Sequence, residues 1–215
     1  MRLRIIFGTV ILVLMFSIVS ADDGGSFGLL TGNLTSADVC GYGVGYIGGS
    51  IGIGDEATTF FGSITYGFSQ YTEGRFKLGL VDPDYKGSEP GLLLGFDFKY
   101  EFLDYYDTMR KNPFDMAFGA FLEYGDFENG SVLELGGNII GSIPYKLESG
   151  AAIVPYARLN LRMENFSAGE FDDTDIQVGL NLGGKFEVSS EVNIYGEVQV
   201  DGNTALFLGA EMRAF

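Results

Sequence analysis

A chain of 215 residues in which 13 Lys and Arg stand against 29 Asp and Glu, a formal charge of −16, has room for one domain of ordinary size. It is a poor partner for nucleic acid, whose binding rests on neutralising phosphates with cations. The chain has no histidine, which removes the usual general base of hydrolases, and its single cysteine, Cys40, excludes an internal disulfide.

The N-terminus reads first. "MRLR" is basic, "IIFGTVILVLMFSIV" is apolar, and Ser20 and Ala21 are small, the three regions of a secretory signal peptide over residues 1–21. Loss of Arg2 and Arg4 on cleavage takes the formal charge from −16 to −18. No later run approaches the roughly 20 apolar residues of a membrane helix, so any later passage through a membrane must use strands. Residues 22–38, "DDGGSFGLLTGNLTSAD", are expected to form a loosely ordered leader.

From residue 39 the chain repeats one theme, and its 33 glycines with Phe and Tyr but no Trp favour strands. "VCGYGVGYIGGSIGIG" (39–54) is a glycine-rich strand in which Cys40 is a small strand residue, with a free reactive thiol as the alternative. Its alternating glycines are no nucleotide fingerprint, because no helix follows. "ATTFFGSITYGFSQ" (57–70) comes next, then a turn through Glu73 and Gly74 into "RFKLGLV". In "GLLLGFDFKYEFLD" (91–104), Leu92, Leu94, Phe96, Phe98, Tyr100 and Phe102 alternate with Gly95, Asp97, Lys99 and Glu101. Similar alternation marks 114–125, 131–143, 151–163, 175–188, 192–200 and 204–215. Pro155 falls on the apolar side, where it is expected to mark a bulge because it cannot donate to a ladder. The pattern gives ten strands, or eight if a neighbouring pair is miscounted. Short connections between an even number of strands predict an all-β, antiparallel up-and-down barrel over residues 39–215.

Which wall faces out decides the class. With the apolar wall inward, six large side chains from one strand would overfill a lumen that about eight strands only just fill. The polar wall also mixes charges with Gly79, Gly95, Gly119, Gly179 and Gly183, a poor solvent-facing surface. With the apolar wall outward, Leu, Ile and Phe meet lipid and the glycines make room for charges inside. Reversing the strand at 91–104 would put Lys99 in lipid, at about 2 to 4 kcal/mol near the midplane.

Signal peptide, alternating strands and a chain ending on Phe215 resemble the small, porin-like outer-membrane β-barrels. The resemblance implies a transmembrane barrel in the bacterial outer membrane, with outer-membrane lipid and the barrel-assembly machinery as partners and Phe215 as the assembly signal. Phe215 shares its parity with Glu211 and Arg213, whereas Leu206, Leu208, Ala210 and Met212 form the apolar set. Either a bulge shifts the last residues or Phe215 is not a conventional signal.

By this alternation the lumen holds Arg75, Lys77, Lys99, Arg158, Arg162, Lys185 and Arg213 with Asp97, Glu101, Asp115, Glu123, Glu134, Glu187, Glu197 and Glu211. It is nearly neutral and able to pair, which predicts a narrow or plugged lumen. Most remaining acid falls on the outer connections, giving an acidic rim and at most a small, cation-preferring pore. Glu170, Asp172, Asp173 and Asp175, in the stretch 164–175, are a candidate weak site for divalent cations, against the plainer reading of a solvated acidic loop. Asp97 and Glu101 flank Lys99, an ion-pair ladder rather than an acid/base pair, so neither enzymatic activity nor a cofactor is expected. A structural or adhesive surface barrel and a soluble periplasmic barrel holding an apolar ligand are the alternatives.

Overall fold

Alternation at period two produces strands throughout the computed structural model, which describes residues 30–32, 34–84, 89–105, 112–128, 130–148, 150–169, 171–200 and 204–215. The signal-peptide segment 1–21 and the start of the leader lie outside these residues. The strands are β1 (Gly45–Gly54), β2 (Ala57–Gly67), β3 (Thr72–Pro83), β4 (Gly91–Leu103), β5 (Asp115–Phe127), β6 (Gly130–Ser142), a two-residue β7 (Tyr145–Lys146), β8 (Ala152–Ala168), β9 (Phe171–Glu187), β10 (Val192–Val200) and β11 (Ala205–Arg213). Neighbours pair antiparallel. β6 pairs directly with β8, β7 adds only a short ladder to β8, and β11 closes on β1 from Tyr46↔Arg213 to Gly54↔Ala205. Ten strands therefore make the wall of a closed antiparallel barrel, in which every wall strand has a partner on both sides.

Side-chain exposure is inverted relative to a soluble protein. Phe96 and Leu161 are 48% and 57% exposed, whereas Lys77 and Glu134 are 1% and 0% exposed. The same parity holds around the ring, with Phe60, Leu78, Phe118, Leu135, Val178, Ile194 and Leu208 outward.

Local features differ from the alternation. Pro155 marks no bulge, because β8 runs in register with β9 through Pro155↔Gly184. Its carbonyl accepts the Ile143 N–H at 3.2 Å, just past the last β6 pair, Ser142↔Tyr156. Its missing N–H thus faces a side where that ladder has ended. A register shift occurs instead between Glu101 and Leu103. The stretch 164–175 is largely strand, since β8 and β9 stay paired as far as Ala168↔Phe171, beyond the last β9–β10 pair, Leu180↔Val200.

The apolar core lies inside the barrel and includes part of the leader. Leu30, Leu34 and Ala37 are buried with Phe61, Val81, Leu93, Val132, Ile140 and Phe207. The alternation-free leader 22–38 is expected to be loosely ordered, but its described residues thread the lumen. Burial there removes Leu30, Leu34 and Ala37 from water.

Candidate functional site

The lumen is filled by the chain's own segment, residues 30–32 and 34–40. A strand lining a barrel spends its backbone hydrogen bonds on its neighbours, so a peptide passing through the middle must find partners among side chains. The wall supplies both kinds. Carboxylates accept its N–H groups: Thr31 N–H donates to Glu123 Oε2 at 3.1 Å, Leu34 N–H to Glu197 Oε2 at 2.8 Å, Val39 N–H to Glu101 Oε2 at 3.2 Å and Cys40 N–H to Glu73 Oε2 at 2.8 Å. Cations donate to its oxygens. Arg75 Nη1 reaches the Leu34 carbonyl at 3.2 Å, and Lys99 Nζ reaches the Ser36 and Asp38 carbonyls at 2.8 and 2.6 Å. Lys77 Nζ donates to Thr31 Oγ1 at 2.6 Å, and the Thr31 hydroxyl also bonds Glu123. A wall with both signs of charge is therefore complementary to a peptide backbone, and charge-assisted bonds are the strong ones.

The segment crosses from one end of the barrel to the other. A Cβ on Gly125, near the end of β5, would come within 2.9 Å of Leu30 Cδ1, and one on Gly209 within 3.2 Å of Leu34 Cδ1. At the end where β1 begins, Gly43 N–H donates to the Gly67 carbonyl at 3.0 Å. Inward glycines thus make room for the peptide as well as for charges. Gaps of about 20 and 40 Å³ remain beside it, enough for water.

Most of the charged residues inferred from alternation are brought together. Lys77 pairs with Asp97 at 2.8 Å and Glu123 at 2.9 Å, Lys185 with Glu187 at 2.9 Å and Asp38 at 2.6 Å, and Arg162 with Glu134 at 3.6 Å. Arg158 lies 5.4 Å from the centre of the Phe121 ring, a cation–π distance. Glu197 accepts from Tyr156 Oη and Asn181 Nδ2, both at 2.7 Å, and Glu211 from Asn193 Nδ2 at 2.9 Å. Asp115 is buried where β5 opens. Arg213 is the exception. It is exposed at the barrel end and forms no ion pair among the described residues.

Two wall residues escaped the sequence. Glu73, placed in a turn, is buried on β3 and pairs with Lys99 at 2.9 Å. Glu164, placed in the acidic loop, is buried on β8 with Arg162 at 3.4 Å. Both share parity with lumen residues on their strands, Arg75 and Arg162, so longer strands would have found them.

Asp172, Asp173 and Asp175 are not gathered. As β9 residues, Asp173 and Asp175 share one face and Asp172 takes the other, where Asn165 and Ser167 donate to it at 2.7 and 3.2 Å. Glu170 lies outside the described residues. Cys40 lies before β1 rather than within a strand. Its Sγ donates to the Val44 carbonyl at 3.4 Å, and burial, with Glu73 nearby, pushes its thiol up to about 12.

Phe215 does carry a bulge. Gly45 N–H donates to the Phe215 carbonyl while the Gly45 carbonyl accepts from Ala214 N–H, both at 2.9 Å, so two residues oppose one. A Cβ on Gly45, which shares the outward face of Ile47, would overlap the Phe215 ring. That ring therefore lies outside, 6.0 Å from the Tyr66 ring.

The outer surface, leucine and phenylalanine between aromatic ends, suits hydrocarbon and not water. The fold is that of a small transmembrane β-barrel. No protein-family model matches the chain, and no curated protein matches it in sequence. Among solved structures it is similar to the N-terminal barrel domain of Pseudomonas aeruginosa OprF, at 12% identity and a TM-score of 0.39 over 81% of this chain and 99% of that one. It is also similar to the KdgM porin, at 11% identity and a TM-score of 0.38 over 79% and 99%. An outer-membrane channel of Pseudomonas putida F1 gives 11% identity and a TM-score of 0.39 over 85% and 99%. In this barrel the lumen, lined by charge and occupied by peptide, is the candidate site.

Proposed function

We propose that the chain is a non-enzymatic, porin-like barrel of the bacterial outer membrane whose lumen is closed by its own segment 30–40, leaving at most a small cation-preferring pore. The observation that carries this reading is the bonding of that segment to both signs of wall charge along its length. Asp55, Glu56, Asp82, Asp84, Glu89, Asp126 and Glu128, at one mouth, support an acidic rim that concentrates cations, divalent ions included, beside lipid phosphates. The outward Phe215 ring supports a part in recognition by the barrel-assembly machinery.

Planar-bilayer recording tests the reading. The mature chain should be silent or give small cation-selective steps, and a chain lacking 22–38 should conduct more. Large anion-selective steps from the intact chain would refute it. Silence from both would favour a structural surface barrel.

A further inference from the structure

Strict alternation along β4 would put Asp104 with Phe102, on the lipid side. The bulge at Phe102 cancels that. Glu101 pairs with Ala117 but Leu103 pairs with Met116, so one residue of β4 goes unmatched and the side chains beyond it change face. Asp104 is thereby turned toward the side of Glu101 and Asp115. One carboxylate oxygen from each of the three lies within 4.8 Å of the others, and no other such acidic group occurs among the described residues.

This group has a feature that an acidic patch lacks. Asp115 is 1% exposed, and while its Oδ1 accepts the Tyr105 N–H at 2.5 Å, its Oδ2 is buried with no hydrogen-bond partner. A buried carboxylate oxygen without a partner is costly. Among the described residues, Lys99 is paired with Glu73 at 2.9 Å and Lys185 with Asp38 at 2.6 Å and Glu187 at 2.9 Å. Asp104 is only half-buried, which leaves an approach from the barrel end that carries the start of β1 and the end of β11.

We propose that Glu101, Asp104 and Asp115 form a Ca²⁺ site at that end of the barrel. Three carboxylates can offer mono- or bidentate oxygens to a cation that takes six to eight of them, whereas Mg²⁺ holds its water in a strict octahedron and is bound less well. Ligation satisfies Asp115 Oδ2 and ties the end of β4 to the start of β5. Through Glu101, which accepts the Val39 N–H at 3.2 Å, it also ties down the segment that fills the lumen.

Calorimetric titration of CaCl₂ into the detergent-solubilised mature chain, stripped with chelator, tests the site. One Ca²⁺ should bind, with Mg²⁺ weaker, and Asp115→Asn should weaken Ca²⁺ at least tenfold while keeping an acceptor for Tyr105. Glu101→Gln, which keeps an acceptor for Val39, should weaken it similarly and gives the answer if Asp115→Asn does not fold. The pair Asp172→Asn and Asp173→Asn should leave this binding unchanged. No binding to the wild type, equal binding in the Glu101 and Asp115 variants, or a loss confined to the Asp172 and Asp173 variant would overturn the proposal.

Discussion

The carbonyl oxygen of Gly41 lies against the bare α-carbon of Gly67, where any Cβ would overlap it. This contact sets where the lumen segment leaves the barrel, because Gly67 also exchanges hydrogen bonds with Gly43 and Val44, both at 3.0 Å. Gly67→Leu should loosen the segment and destabilise the barrel by about 1 to 3 kcal/mol, the usual cost of overpacking. Urea unfolding, with limited proteolysis of the segment, measures it. Unchanged stability and unchanged protection would show that the segment does not depend on this passage.

Lys77 joins Asp97, Glu123 and Thr31 at one buried point. Lys77→Met should cost about 3 to 5 kcal/mol, because it removes the cation bonded to the buried Glu123 carboxylate and to Asp97. Adding Glu123→Gln should recover part of the loss, a coupling readable in a double-mutant cycle. Additive losses would mean that the two side chains act independently.

Cys40 lies before β1, outside the spanning strands, and burial holds its thiol up at about 12, above an ordinary value of 9.0. The thiolate is the reactive form, so maleimide labelling of the folded barrel should stay slow at pH 9 and become fast on unfolding. The raised value favours the folded state fully below pH 9, and that contribution is lost as pH rises from about 9 toward 12. Fast labelling of the folded chain at pH 9 would contradict the burial.

Phe215 places its ring over Gly45 and beside Tyr66. Phe215→Ala should lower the fraction of chains that reach the heat-modifiable, folded form in membranes. Gly45→Leu, which displaces the ring without removing it, should do the same. Normal folding of both variants would separate this contact from assembly.

The period-two pattern determined much of the fold by itself. Which residues of 91–102 share a face follows from alternation alone, because neighbouring side chains on a strand must point to opposite sides. The shared face of Lys77, Lys99, Glu123 and Arg162 follows from the same rule applied strand by strand, and closure into a ring from short connections between an even number of strands. Only the tertiary structure decided what occupies the lumen. Residues 30–40 carry no periodicity of their own, and their N–H and carbonyl groups find Glu123, Glu197, Arg75 and Lys99 across long stretches of chain. Complementarity between distant segments is invisible to a local pattern. The bulge at Phe102 escapes it for a related reason, while the one at Ala214 shows in the sequence only as the odd parity of Phe215: in each, one extra residue reverses the parity, re-aiming Asp104 and Phe215, and what fixes such a slip is the partner strand rather than the strand that slips.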